Sequence, residues 1–343
     1  MKAMVLERFG EPMVLREVPE PSIGSGEIFL RVRACGLCGT DIKIYDGKVS
    51  TVKLPRIMGH ELAGEVAQIG SGVEGWEVGD HGVVQATVSC GNCYHCRIGR
   101  ENDCSRRVGR FGFEIDGGLG EYVRVPTQNL CKISRDIPLE QASILSGTMA
   151  MTFHAIRTQG RLRMGETAAI VGIGGMGIHA LQLAVAMGAR VIAVDISEGK
   201  LEAAQSFGSE GVINSSKSDF VSEIRRLTDG EGVDLIVEAV SGIHIPFIIE
   251  QGIQALRLGG RLVILGYDYG QRFSLDPQKI VYDELEIIGA RGSTRQDLVD
   301  VISLVERGKV KPLISECYPL EQANETFHKL RNSASIGRMV LLL

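Results

Sequence analysis

The chain has 343 residues, of which 44% are hydrophobic and 23% charged, and its net charge is −5 at pH 7. This length predicts two domains, and the charge argues against a nucleic-acid-binding protein, which carries a basic patch. The amino-terminal residues do not resemble a secretory signal, and no stretch reaches the roughly 18 uncharged apolar residues of a membrane span. We therefore expect a cytoplasmic protein without membrane or nucleic-acid partners.

Short apolar runs interrupted by glycine and proline fill residues 1–148, for example at 27–33 and 64–70. They predict a β-rich domain with many turns. Two polar motifs fall inside it, one containing Cys35 and Cys38 and the other Gly59-His60-Glu61. Taken alone, Cys38 is compatible with a buried structural thiol and His60 with a core histidine, so these motifs by themselves leave their role open.

Four cysteines in the same region have the spacing C-x2-C-x2-C-x7-C, namely Cys90, Cys93, Cys96 and Cys104. Clustered cysteines in a reducing compartment are more often metal ligands than disulfides. Four thiolates complete a tetrahedral zinc shell with no open position, which is typical of a structural site. An iron–sulfur cluster is the alternative, since it also takes four cysteines.

Strands alternate with helical segments from about residue 150 to 288. Apolar runs predict strands at 168–171, 190–194, 233–237, 261–265 and 285–288, and a helical segment is predicted at 178–187. This alternation predicts a doubly wound parallel sheet with α/β architecture. The last 55 or so residues predict one helix at 296–307 and a closing strand at 338–343.

A glycine-rich loop follows the first of these strands and has the pattern G-x-G-x-x-G, in Gly172, Ile173, Gly174, Gly175, Met176 and Gly177. With a strand before it, a helix after it and Asp195 at the end of the next strand, the loop predicts a dinucleotide site. Asp195 would bind ribose hydroxyls and repel a 2′-phosphate, so NAD is favoured over NADP. A surface aspartate that caps a strand is the plainer interpretation.

In order along the chain, these motifs resemble those of the zinc-dependent medium-chain alcohol dehydrogenases. The resemblance includes Gly59-His60-Glu61 with Gly64 and Val66, the four cysteines, the run from Gly117 to Val123, the glycine-rich loop and Gly337-Arg338. It implies a β-rich GroES-like catalytic domain of residues 1–149 and 289–343, with a four-cysteine zinc lobe at about 88–106. Residues 150–288 would form the Rossmann domain.

The same resemblance assigns roles to individual residues. Cys38 and His60 become ligands of a catalytic zinc, with Glu61 as a ligand or an exchangeable neighbour. Asp41 would orient His60 through its other ring nitrogen, and Thr40 would hydrogen-bond the alcohol and begin a proton relay. For NAD, the resemblance adds Lys200 as a ribose contact and Arg338 as a pyrophosphate contact. A homodimer or homotetramer is also implied.

One departure concerns the catalytic zinc. Members of this family supply a further ligand just before the Rossmann domain, and in this chain that position is Gly147. Three outcomes are open: Glu61 or a water completes the zinc shell, the metal binds weakly, or the site has lost its zinc. The first is preferred. Relatives also often carry a histidine of the proton relay where this chain has Lys43.

Three functions follow from the sequence. The preferred one is a zinc-dependent oxidoreductase that interconverts an alcohol and a carbonyl compound with NAD. The second is a reductase of activated C=C bonds that uses NAD(P)H without catalytic zinc, and the third is a dinucleotide-binding protein without turnover. The sequence does not indicate whether the substrate is a primary alcohol, a secondary alcohol or a polyol. It also does not indicate the direction of the reaction.

Overall fold

The computed structural model describes residues 1–332 and 335–343 and separates the chain into two units. The β-rich unit comprises Met1–Ala150, Ser293–Gly308 and Pro312–Leu343, and the parallel-sheet unit comprises Met151–Gly292 and Lys309–Lys311.

Strands form the sheets of the β-rich unit and the centre of the parallel-sheet unit. In chain order they are β1 (Lys2–Leu6), β2 (Val14–Glu17), β3 (Glu27–Leu37), β4 (Arg56–Ile57), β5 (Glu61–Ile69), β6 (His81–Val84), β7 (Thr87–Val88), β8 (Gly109–Arg110), β9 (Tyr122–Pro126), β10 (Leu130–Lys132), β11 (Thr167–Val171), β12 (Arg190–Asp195), β13 (Gly211–Asn214), β14 (Val233–Glu238), β15 (Leu256–Ile264), β16 (Glu286–Gly289), β17 (Ile314–Pro319) and β18 (Arg338–Leu342).

Helices occur in both units, and two helices near the carboxyl end belong to the β-rich unit. They are α1 (Gly39–Tyr45), α2 (Tyr94–Arg97), α3 (Leu139–Ile144), α4 (Ala150–Phe153), α5 (Gly177–Ala186), α6 (Glu198–Ser206), α7 (Phe220–Leu227), α8 (Ile245–Ala255), α9 (Pro277–Tyr282), α10 (Arg295–Glu306) and α11 (Ala323–Asn332). Two π-helical stretches, Leu145–Met149 and His154–Gln159, flank α4. Among the described residues, no helix has both the length and the apolar character needed to cross a membrane.

The β-rich unit is built around a sheet in the order β10-β6-β5-β3-β18-β17, with β9 also paired to β3. Apolar side chains from β3, β5, β10 and the 111–119 loop form its core, including Leu30, Leu62, Phe111, Leu119 and Leu130. β3 pairs with β5 on one side and β18 on the other. The three strands therefore bring together residues that are far apart in the sequence.

The parallel-sheet unit has the strand order β13-β12-β11-β14-β15-β16, and all neighbours are parallel. This is the doubly wound order in which a dinucleotide binds at the carboxyl ends of the strands, where the order reverses. Here the reversal lies at β11, whose neighbours are β12 and β14. The predicted α/β fold class is confirmed.

Two predictions about the elements were wrong. The strand predicted at 261–265 begins earlier, because β15 pairs through Leu256 with Val233 before a register shift; Gly259 and Gly260 concealed this first part in the sequence. The last 55 residues hold β17 and α11 in addition to the predicted α10 and β18. These two elements expose many of their side chains and contain few apolar residues, so the sequence gives little signal for them.

Candidate functional site

Cys38 stands at the junction between β3 and α1, where it is the N-cap residue of the helix. Its Sγ accepts a hydrogen bond from the backbone amide of Thr40 at 3.3 Å, and the Asp41 carboxylate accepts one from the Cys38 amide at 2.9 Å. This reciprocal capping box fixes the thiol at the start of the helix. The hydrogen bonds at the start of α1 thus orient the Cys38 side chain without a bound ligand.

His60 lies directly beside this thiol, in the residue before β5. Its Nε2 is 3.2 Å from Cys38 Sγ, and its Nδ1 is 3.0 Å from Asp41 Oδ1. Burial lowers the pKa of His60, but the charges of Asp41 and Cys38 outweigh it and raise that pKa well above its usual value. The ligand atoms of these three residues, the Cys38 cluster, lie within 4.8 Å of one another. The ring of Phe113 packs on that of His60 with centroids 5.4 Å apart.

Glu61 is fully buried next to this cluster and is held by two residues of the same unit. Its Oε1 accepts hydrogen bonds from Thr148 Oγ1 at 2.8 Å and from Arg338 at 3.3 Å, and Arg338 Nε donates to Thr148 Oγ1 at 2.5 Å. We call Glu61, Thr148 and Arg338 the Glu61 group. The other carboxylate oxygen, Oε2, is buried without a hydrogen-bond partner.

This arrangement was not predicted. Arg338, expected at the pyrophosphate, is 8% exposed and bonded inside the β-rich unit, and its contact with a dinucleotide stays a prediction. Nothing in the sequence pointed to Thr148 except its place next to Gly147.

Gly147 is where the sequence lacks a ligand, and its surroundings are specific. A Cβ on Gly147 would overlap Cγ of Glu61, and a Cβ on Gly36 would lie 2.7 Å from Glu61 Oε2. The Glu61 side chain therefore fills the space that a side chain at position 147 would occupy. The buried position of the Glu61 side chain thus depends on the missing side chain at Gly147.

The four cysteines of the predicted lobe do converge. Sγ–Sγ distances are 3.5 Å for Cys93–Cys96, 3.5 Å for Cys90–Cys104 and 3.8 Å for Cys93–Cys104. The short helix α2 and a 3₁₀ turn at Glu101–Asp103 return the chain so that the fourth thiol meets the other three. This cysteine lobe can hold one ion with four sulfur ligands.

The glycine-rich loop joins β11 to α5 in the parallel-sheet unit. Gly172 has φ +90°, which favours glycine, and a Cβ on Gly177 would overlap the Gly172 carbonyl oxygen. Gly174 has open space where a Cβ would be, so its backbone is accessible to a ligand. Gly175 and Met176 complete the loop, and the Gly175 carbonyl lies 2.7 Å from His179 Nδ1, a contact that the sequence analysis missed.

Asp195 ends β12 beside this loop. Its carboxylate accepts hydrogen bonds from the backbone amides of Ile173 at 2.7 Å, Ile196 at 2.8 Å and Ser197 at 3.0 Å. Lys200 Nζ is 3.9 Å from Asp195 Oδ2. The structure thus brings Asp195, Lys200 and the glycine-rich loop together, and Asp195 also braces the loop itself.

Comparison with known proteins gives the same picture. Residues 24–135 match the family model "Alcohol dehydrogenase GroES-like domain", and residues 175–307 match "Zinc-binding dehydrogenase". The chain is 34% identical to an NAD-dependent alcohol dehydrogenase of Sulfurisphaera tokodaii, with 100% of both chains covered. It is 31% identical to the acryloyl-coenzyme A reductase of the same organism, with 99% of both covered. The crystal structure of AibC superposes with a TM-score of 0.94 at 37% identity and covers 100% of this chain and 95% of its own. The resemblance predicted from the motifs is confirmed, and the chain is an oxidoreductase that belongs to the zinc-type medium-chain alcohol dehydrogenase family.

Proposed function

We propose that this protein is a zinc-dependent dehydrogenase that transfers hydride between an alcohol and NAD, with an aldehyde or ketone as the other product. The Cys38 cluster carries this proposal. A thiol and an imidazole nitrogen 3.2 Å apart, with Asp41 on the other ring nitrogen, form the donor set and the orienting carboxylate of a zinc site.

The surroundings of this cluster fit a metal with an open position. Glu61 offers the buried, unpartnered Oε2, and its side chain fills the space next to Gly147. We assign Cys38, His60 and Glu61 as the zinc ligands, with the remaining position left for substrate. A zinc ion held there would polarise a carbonyl oxygen and lower the pKa of a bound hydroxyl.

The chain's own residues orient the ligands and handle the proton. Asp41 holds the His60 ring with Nε2 toward Cys38, and Arg338 compensates the charge of Glu61. Thr40, at the first turn of α1, would accept a hydrogen bond from the substrate hydroxyl and pass its own proton on to solvent as it takes up that of the substrate. Its backbone amide donates a hydrogen bond to Cys38 Sγ, which fixes the Thr40 backbone beside the proposed metal ligand.

In the parallel-sheet unit, we assign NAD to the glycine-rich loop. Gly172, Gly174 and Gly177 leave room for the pyrophosphate, while Asp195 and Lys200 bind the ribose hydroxyls. A 2′-phosphate would meet the Asp195 carboxylate, so NADP is disfavoured. The cysteine lobe is assigned a second, structural zinc.

A second candidate is a reductase of activated C=C bonds. Two observations favour it: the missing side chain at Gly147, and a relative that covers 99% of this chain and is named acryloyl-coenzyme A reductase. In that reaction Thr40 and the Cys38 cluster would have no alcohol to activate.

Zinc analysis combined with turnover separates the two. If the protein is an alcohol dehydrogenase, we expect about two zinc ions per chain, one in each type of site. We also expect NAD reduction with at least one member of a panel of alcohols, and this activity should stop when a chelator removes the zinc. Cys38→Ser should lose one zinc, whereas Cys317→Ser, which changes an exposed thiol outside both clusters, should lose none. One zinc per chain together with NADH oxidation by an enoyl thioester would establish the reductase instead.

A further inference from the structure

The parallel-sheet unit contains a buried glutamate that none of the roles above uses. Glu238 is the last residue of β14 and has no exposed surface. Its Oε1 accepts a hydrogen bond from the Val240 amide at 2.7 Å, and its Oε2 accepts one from the Gly266 amide at 3.0 Å. Val240 lies in the loop after β14 and Gly266 in the loop after β15, so one carboxylate joins two loops.

These loops lie at the edge of the sheet that receives the dinucleotide. β14 is the neighbour of β11, and Val171 pairs with Glu238. A Cβ on Gly172 would come within 2.7 Å of Val240 Cγ2, so the loop after β14 packs against the first glycine of the glycine-rich loop. In a doubly wound sheet each half binds one nucleotide, and β14 and β15 belong to the second half.

The surroundings of Glu238 require a carboxylate at close range. A Cβ on Gly266 would lie 2.0 Å from the Val240 carbonyl oxygen and 2.7 Å from Glu238 Oε1, so only glycine permits this approach. Two separate amide donors also need two acceptor oxygens, which a glutamine side chain does not supply.

In the described part of the chain no lysine, arginine or histidine forms an ion pair with Glu238, whereas Glu61 has Arg338. Burial raises the pKa of Glu238, and the hydrogen bonds from the two amides lower it. Burial is the larger effect, so the pKa is raised to about 7. An unpaired buried carboxyl group costs stability, which indicates that its benefit lies elsewhere.

We propose that Glu238 is a positioning residue for NAD: by holding the amides of Val240 and Gly266, it fixes two loops in the conformation that receives the second nucleotide. This inference rests on the proposed function, because it requires NAD to bind the parallel-sheet unit. Glu238 acts through the loops and does not itself contact the dinucleotide.

The test is NADH binding to the full-length protein, measured by fluorescence titration at pH 8. Glu238→Gln keeps one acceptor and turns an amide donor toward the other loop. We expect its dissociation constant to rise about ten-fold, the size of one hydrogen bond to a charged group. Hydrogen exchange in segments 239–242 and 266–270 should become faster. The matched control is Glu223→Gln, which removes the same charge from a surface ion pair in this unit and should leave both unchanged.

The wild-type protein supplies a second readout that needs no variant. Glu238 is ionised above about pH 7 and protonated below it. A protonated carboxyl group keeps only one good acceptor, so NADH affinity should fall about ten-fold between pH 8.5 and pH 5.5. Glu238→Gln should lack this pH dependence.

The outcomes distinguish the two proposals. If the wild-type protein does not bind NADH at any pH, the proposed function fails, and this inference fails with it. If the wild-type protein binds NADH but Glu238→Gln binds within two-fold of it with unchanged loop exchange, only the role of Glu238 is overturned. If the variant does not fold, pH-independent NADH affinity of the wild-type protein overturns that role by itself.

Discussion

The cysteine lobe and the Cys38 cluster are both candidate zinc sites, yet they are assembled in opposite ways. The lobe takes its four ligands from one short loop, Cys90 to Cys104, and each thiol is near the next in sequence. The Cys38 cluster combines β3, α1 and the start of β5, and the adjoining Glu61 group adds Thr148 and Arg338 from distant parts of the chain. A metal in the cysteine lobe would therefore stabilise mainly its own loop, whereas the geometry of the Cys38 cluster depends on the fold of the whole β-rich unit.

The sharpest test of this difference is Cys38→Ser. Under the proposed function, loss of the Cys38 thiolate should lower kcat/KM for the best alcohol by at least about 10³-fold, because the metal would activate the substrate. The midpoint of thermal unfolding should change by only roughly 2–4 °C, even with the zinc lost, because strand pairing and the hydrogen bonds of Asp41 hold this region without the metal. Steady-state kinetics and calorimetry check this, and a large loss of stability with activity retained would contradict it.

For the lobe we expect the opposite balance. Cys104→Ser should remove one zinc per chain and lower the unfolding midpoint by roughly 10 °C, because metal binding in such a loop is part of its folding free energy. Activity of the folded protein at low temperature should remain. Cys131→Ala, which removes a buried thiol outside both clusters, is the control, and an equal loss of stability there would contradict the role of the lobe.

Gly147→Ala tests whether Glu61 needs the empty position. The new methyl group would collide with the Glu61 side chain and should cost about 1–3 kcal/mol of unfolding free energy while displacing the carboxylate. Denaturant titration and zinc affinity at the Cys38 cluster are the measurements. Gly199→Ala, where nothing lies within 4 Å of the added atom, should cost nothing; similar behaviour of the two variants would show that the space is not needed.

Thr148→Val should give the smallest effect. It removes the hydroxyl that links Glu61 to Arg338 and should weaken zinc binding at the Cys38 cluster about ten-fold, as for other residues that orient ligands. Competition with a chelator measures this. Thr326→Val is the control, because that buried hydroxyl donates to the Gln322 carbonyl in the turn before α11, outside both candidate metal sites. Equal zinc affinity in the wild-type protein and in Thr148→Val would show that Thr148 does not contribute to metal binding.

The same contrast explains what the sequence could predict. The cysteine lobe and the glycine-rich loop were identified from spacing, because their residues are local and each has a geometric task. The strand–helix alternation predicted the doubly wound sheet for the same reason. Glu61 and Arg338 were both named, but their pairing was not predicted, because they lie 277 positions apart and no local pattern encodes that contact. Glu238 was missed because its partners are backbone amides, which carry no side-chain signature.

The pairing of β18 with β3 has a consequence for how the protein is made. Cys104 closes the lobe early in synthesis, while Arg338, at the start of β18, leaves the ribosome much later. At bacterial or eukaryotic translation rates the delay is on the order of ten seconds or more. During that interval the nascent chain can load metal into the lobe, but Glu61 still lacks its cation. All four cysteines of the lobe are therefore available to a metal ion before the Glu61 group is complete.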